Sequence, residues 1–373
     1  DIVPTKSNYV EFIEGNVETL VGKTMCDLLH EMDFTIFNLE VPLTDVISPL
    51  QKCGPNLQAL SKTINGIKKL NPYFFTLANN HILDQSVQGL KATMEILNRE
   101  NIKYAGAGND LKEASKPFVF EKNGIKIGIY CCAEREFSIA TENKAGANPF
   151  DPLFSLDHIR LLKKDVNYVI VLYHGGKEHY RFPSPNLQKT CRRIVDSGAD
   201  LVVCQHSHCI GCYEDWETGK IIYGQGNFLF DDSDSEFWKT SLLIEIIFKS
   251  KNDFSIEYIP IVKVGNGIRL AENEKKVEII NGFEDRSKRI IESAFIETEY
   301  SKFAQQYINT YLRTGMPHNT SLFNRVFNKL SKGTWFERRI TKEQKLALCN
   351  YLECEAHREL FLQGLKESLR KSS

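Results

Sequence analysis

The chain has 373 residues, with 47 Lys and Arg against 48 Asp and Glu, a formal net charge of -1, 42% hydrophobic residues and 25% charged ones. This is the composition of a globular protein long enough to bury a sizeable core, and it lacks the basic excess of a general nucleic-acid binder. No apolar run approaches the roughly 20 residues of a membrane span and no signal peptide is legible, so membrane association is not evident. Ten cysteines, several in apolar runs of a chain too large to need disulfide staples, point to a reducing compartment and a cytoplasmic location.

In chain order, residues 1 to about 265 alternate between strand-like and helical runs. The apolar stretches Phe34–Leu39, Tyr73–Ala78, Ile125–Cys131, Tyr168–Tyr173, Leu201–Cys204 and Ile221–Tyr223 predict strands. Between them Val87, Leu90, Met94 and Leu97 recur at helical spacing, as do Leu187, Cys191, Ile194 and Val195. Such alternation predicts a layered α/β domain. Gly106-Ala107-Gly108 lacks the third glycine of a dinucleotide loop and reads as a tight strand exit. Ser241–Phe248 and Phe254–Val264, separated by a short polar turn, predict an antiparallel hairpin. Past residue 280 the texture turns helical. Ile290, Ala294, Phe303, Tyr307 and Tyr311 form one series and Leu348, Leu352, Ala356, Leu360 and Leu365 another, with breaks at Gly315-Met316-Pro317 and Lys332-Gly333. The expected organisation is an α/β domain over 1–270 and a helical subdomain over 281–373, with the basic stretch 325–345 a solvated helical face.

The chemistry-bearing residues fall where strands end. Glu40 follows one predicted strand, Asn79-Asn80-His81 a second, His174-Gly175-Gly176 a third, and His206-Ser207-His208 a fourth, while Asp1 opens a loop of the same kind. Carboxyl ends of parallel strands share one edge of an open sheet, so these residues are expected to meet in space. Five of the nine histidines (His81, His174, His179, His206 and His208) lie in these segments. A mixed set of carboxylate, amide and imidazole donors suits Mn, Fe or Zn better than Mg or Ca. One or two such ions are expected; Glu40 can bridge a pair with its two oxygens, and the paired ions would activate a bridging water. Lys177, His179 and Arg181, just past His174, are candidates for holding an anionic small molecule or polymer. A zinc knot at Cys204, His206, His208, Cys209 and Cys212 is the weaker reading, because no second Cys-x-x-Cys follows. Neither a Gly-x-x-x-x-Gly-Lys phosphate loop nor a Gly-x-Ser-x-Gly elbow is present.

Asn38-Leu39-Glu40, Ala78-Asn79-Asn80-His81-Ile82-Leu83-Asp84, Tyr173-His174-Gly175-Gly176-Lys177-Glu178-His179-Tyr180, the run from Gly198 to His208, and Tyr223-Gly224-Gln225-Gly226-Asn227-Phe228 together resemble the CapA family of capsule and poly-γ-glutamate biosynthesis proteins. That family is similar to calcineurin-like metallophosphoesterases. The resemblance implies a β-sandwich flanked by helices; the helical C-terminal extension rests on periodicity alone and lies outside the family's motifs. It also implies roles: Asp1 and His208 on a first metal, Glu40 as the bridge, Asn80, His174 and His206 on a second, and His81 as the catalytic residue beside the leaving group. The pattern departs at Val3, where the wider superfamily has a histidine, at Glu40 in place of aspartate, and at Gly175 in place of an aromatic. The expected activity is hydrolysis of, or transfer at, a phosphorus ester or acyl phosphate, with capsule-biosynthesis proteins as partners. A non-catalytic metal-binding scaffold and a hydrolase of a γ-glutamyl amide are the alternatives.

Overall fold

Alternation along Tyr168–His174 sets the frame of the molecule. Val169, Val171 and Tyr173 face helices that carry Ile159, Leu162, Leu187, Cys191 and Ile194, while Tyr168 and Ile170 face the opposite way, toward Leu242 and Phe283. A strand apolar on both faces needs a layer on each side. In the computed structural model, which describes residues 1–315, 329, 331, 340–353, 357–358, 361–362, 365 and 369, it lies near the middle of a six-stranded sheet. From one edge to the other the strands are Tyr213–Trp216, Gly219–Ile222, Leu201–Gln205, Tyr168–His174, Ile125–Ala133 and Phe118–Lys122. The inner four run parallel and the two edge strands antiparallel.

A second layer covers the face turned away from the helices Ser155–Asp165 and Pro185–Asp196. One part is the parallel set Ile36–Asn38, Phe74–Thr76 and Lys103–Ala105, which continues through an Ile2–Leu39 bridge to Ile2–Val3 and its parallel partner Leu229–Phe230. The other part is the predicted hairpin, Thr240–Phe248 with Phe254–Val264, joined by Gly267–Leu270. Phe74, Ala78 and Ala105 pack on Ile129, Cys131 and Ala133 between the layers. The helices Tyr9–Glu14, Lys23–Glu31 and Ser86–Arg99 then bury Phe12, Met25, Leu90 and Leu97 on the outside of the second layer. Each such buried aliphatic or aromatic side chain contributes about 1.5–3 kcal/mol. The outcome is the α/β class read from the sequence, a sandwich of sheets flanked by helices. A cavity of about 690 Å³ between the layers has largely apolar walls, including Ile127, Ile170 and Val203, and ends at Asn38, His174 and Gln205.

The chain divides into two compact units, 1–297 and 298–373. Helix Asn273–Arg289 belongs to the first, with Phe283 packed on Tyr213 and Tyr258, so this unit extends into the stretch that sequence reads as helical. From residue 298 on, the remainder of helix Phe295–Gly315 and helix Lys342–Glu353 account for most of what is described. Met316, Pro317, Lys332, Gly333, Ala356, Leu360 and most of the basic stretch lie outside the described residues. Among the described residues, no helix is long and apolar enough to cross a membrane.

Candidate metal centre

Topology delivers the site. In the six-stranded sheet Gln205 pairs with His174, so His206 leaves its strand one residue past the level of His174. In the second layer Asn38 pairs with Thr76, which brings Glu40 alongside the Asn79-Asn80-His81 turn. Both sets of parallel strands end at the same edge of the sandwich, and the loops there are bent sharply. His206 and His208 adopt φ of 102° and 52°, backbone that non-glycine residues rarely take and that costs on the order of 1–3 kcal/mol each.

Two clusters share one carboxylate. Ligand atoms of Glu40, His174 and His206 lie within 4.8 Å of one another, as do those of Asp1, Glu40 and His208, and all five residues are buried. His174 Nε2 stands 3.0 Å from Asn80 Oδ1 and 3.3 Å from Glu40 Oε1. His208 Nδ1 lies 2.9 Å from Asn227 Oδ1 and 3.6 Å from Asp1 Oδ2. Asparagines brace the set. Asn38 Nδ2 donates to Asp1 Oδ1 at 2.8 Å and lies 3.4 Å from His174 Nδ1, while Asn79 Nδ2 donates to Asn38 Oδ1 at 3.1 Å and to the Leu39 carbonyl at 2.9 Å.

The hydrogen-bond accounting is what marks this as a candidate cation site. Asp1 Oδ2, both Glu40 oxygens and His206 Nδ1 are buried without a hydrogen-bond partner. An unpartnered buried carboxylate oxygen costs several kcal/mol unless a charge offsets it, and here three such oxygens accompany an unpaired imidazole nitrogen. Divalent ions fit this donor set of two carboxylates, an amide oxygen and three imidazoles. Electrostatics point the same way: burial works to raise the Glu40 carboxyl, yet the His174 and His208 imidazoles outweigh it and hold it well below the usual carboxylate range. Burial, followed by the neighbouring His174, pushes the His206 imidazole well below its usual value, leaving a neutral ring with a lone pair.

The remaining predicted residues sit around this centre. His81 is buried next to Asn80, with its Nδ1 2.5 Å from Asp84 Oδ2. His179 stacks on Phe237 and accepts a bond from Trp238 Nε1 at 2.9 Å, and Trp238 in turn packs on His208. Arg181 donates to the Ile210 carbonyl at 3.0 Å and lies 3.4 Å from Glu236, so its guanidinium is already engaged. Lys177 is half-buried just beyond the site. Cys204 points to the helix-side core, 3.6 Å from Cys191, and stands apart from the histidines. Asn38, Asn227, Asp84 and Trp238 received no role from the sequence. The first three lie in the motif segments already noted, whereas Trp238 follows a polar loop and carried no signal.

A family model described as bacterial capsule synthesis protein PGA_cap matches residues 11–232. The chain is 30% identical over 239 residues to the PGA biosynthesis protein CapA of Bacillus subtilis (strain 168), a match covering 63% of this chain and 62% of that protein. It is 27% identical over 242 residues to the capsule biosynthesis protein CapA of Bacillus anthracis, covering 62% and 59%. The matched part thus spans about three fifths of these relatives' own length. Among solved structures, a phosphatase from Mycoplasma pneumoniae aligns at 15% identity and a TM-score of 0.42, over 69% of this chain and 90% of that one. The NAD nucleotidase of Haemophilus influenzae aligns at 15% identity and a TM-score of 0.37, over 65% and 52%. At these scores the structural likeness carries no argument about activity.

Proposed function

The chain belongs to the bacterial capsule synthesis protein family PGA_cap, and from that premise we propose that it is a metal-dependent hydrolase of phosphorus esters or acyl phosphates acting on an anionic substrate of capsule or polyglutamate metabolism. The observation that carries this reading is Glu40, a fully buried carboxylate whose two unpartnered oxygens stand between two histidine clusters. Glu40, Asn80, His174 and His206 would hold one ion of Mn, Fe or Zn, and Asp1, Glu40 and His208 a second. When bound, such ions supply Lewis acidity toward a phosphoryl oxygen and a hydrolytic water competent at neutral pH. The chain's own residues do the rest. His81, fixed by Asp84, presents its other ring nitrogen to the leaving group, and Lys177 with His179 Nδ1 orients the anion. Family membership also supports partners among capsule-biosynthesis proteins.

Val3 favours a second reading. It is buried and apolar where the wider superfamily has a further histidine, which leaves the Asp1–Glu40–His208 cluster with three donors. A chain that binds one ion and an anionic polymer without turning it over would be a scaffold of the assembly. Hydrolysis of a γ-glutamyl amide would use the same residues and is separated by substrate profile. The deciding experiment measures bound Mn, Fe and Zn in the purified chain, then assays bis-p-nitrophenyl phosphate, p-nitrophenyl phosphate and γ-glutamyl-p-nitroanilide. Metal-dependent ester turnover that falls about 100-fold or more in His81→Ala supports the hydrolase. An inert, metal-replete chain sinks it.

A further inference from the structure

Residues 51–56 are almost all exposed, yet one member of that loop turns inward: the Lys52 side chain is only 3% exposed. Its Nζ lies 2.5 Å from Asp84 Oδ1, an oxygen with no partner other than this ammonium, and 3.4 Å from His81 Nδ1. Asp84 Oδ2 faces His81 Nδ1 at 2.5 Å and accepts the Leu57 amide at 2.6 Å, so both carboxylate oxygens are spoken for within one loop–turn contact. The same loop is tied to the turn by the Leu50 amide on the Asp84 carbonyl (3.0 Å), the Ser48 amide on Gln85 Oε1 (2.8 Å) and Ser86 Oγ on the Ser48 carbonyl (2.7 Å). Burying an ammonium is costly unless it is paired, and a pair this enclosed holds both groups in a single arrangement.

We propose that Lys52 is a positioning residue: by anchoring Asp84 it keeps the proton of His81 on Nδ1 and so leaves Nε2 as the nitrogen directed at the reacting group. The inference rests on the proposed role of His81, but its geometry does not. An ionised carboxylate accepts and never donates, so the 2.5 Å Asp84–His81 contact places the hydrogen on Nδ1. The Lys52 ammonium, itself only a donor, bonds to Asp84 Oδ1 and not to His81. Without Lys52, Asp84 Oδ1 is an unpaired buried charge, and the carboxylate rotates away from His81 to find water or another donor.

The test uses the full chain loaded with zinc. Nitrogen-15 NMR of the imidazoles, assigned with His81→Gln, reads the His81 proton directly, alongside kcat and KM for bis-p-nitrophenyl phosphate. In Lys52→Met the His81 Nδ1 proton signal exchanges away or shifts to a tautomer mixture, kcat falls about 10- to 100-fold, KM and zinc content stay level, and Lys52→Arg restores part of the signal. A single Nδ1-protonated tautomer unchanged in both Lys52→Met and Lys52→Gln overturns the proposal, and so does a rise in KM at constant kcat. If the wild-type chain hydrolyses nothing, the hydrolase reading fails while the NMR result still decides the role of Lys52.

Discussion

At the scale of single residues, the site depends on side chains that touch ligand atoms from behind. His208 is the clearest case. Its Nδ1 is fixed by Asn227 Oδ1 at 2.9 Å, which leaves Nε2 as the free nitrogen, while Asn227 Nδ2 is buried without a partner. A histidine that loses its orienting partner also loses ring orientation and basicity, which typically weakens a metal site by about 10–100-fold. Asn227→Ala is therefore expected to lower affinity by that factor at the Asp1–Glu40–His208 cluster, with the Glu40–His174–His206 cluster little changed. Chelator-competition titration with zinc resolves the two. Equal weakening of both, or of neither, removes Asn227 from this role. Glu40→Gln, by contrast, takes a shared donor from both clusters and is expected to strip the chain of most of its metal, as read by elemental analysis.

At the scale of elements, the strand exits matter most. Gly106 follows strand Lys103–Ala105 at φ 88°, and a Cβ there would lie 2.6 Å from the Cys131 Cβ and 2.7 Å from the Ala78 Cβ. Ala78 immediately precedes Asn79-Asn80-His81, so a side chain at 106 strains the backbone and pushes on the ligand turn. Gly106→Val is expected to cost about 2–4 kcal/mol in urea denaturation and to lower metal affinity with it. Unchanged affinity despite that loss of stability would mean the turn is insulated from the exit. The sequence carried the bend, since Gly106-Ala107-Gly108 reads as a tight strand exit, but not the short strand Lys103–Ala105 that leads into it. It likewise carried the six apolar strands named from it, the hairpin and the strand-end residues, whose positions follow from apolar runs of the right length, but not the edge strands Phe118–Lys122 and Tyr213–Trp216. What it could not carry was cross-strand register. The pairing of Gln205 with His174 and of Asn38 with Thr76 decides which polar side chains meet, and nothing local in the chain encodes it. That is why Asn38 and Asn227 surfaced only in the folded molecule, and why Arg181, legible as a free cation, turns out to be bonded to Ile210 and Glu236.

At the scale of the whole molecule, a centre of buried acceptors makes stability depend on what it holds and on pH. Ions that bind the folded chain alone stabilise it by mass action, about 2.7 kcal/mol at a hundredfold excess over Kd, so chelation is expected to lower the melting temperature and zinc or manganese to restore it. The metal-free chain carries a second dependence. His206 is held well below its ordinary value of 6.5 by burial, then by His174. As pH falls below about 6.5 the unfolded chain takes up a proton that the folded chain refuses; the unfolded state then binds more protons, and stability falls with pH by up to about 1.4 kcal/mol per unit. Above 6.5 neither state is protonated at this ring and the dependence vanishes. Glu40, held below the usual carboxylate range, adds loss of the same sign only below its ordinary value of 4.5. Urea midpoints of the chelated chain between pH 7.5 and 3.5 are therefore expected to decline from about 6.5 downward, and His206→Asn is expected to flatten the limb between 6.5 and 4.5 while leaving the one below 4.5. A wild-type decline that persists unchanged in His206→Asn would assign the dependence to groups outside the centre.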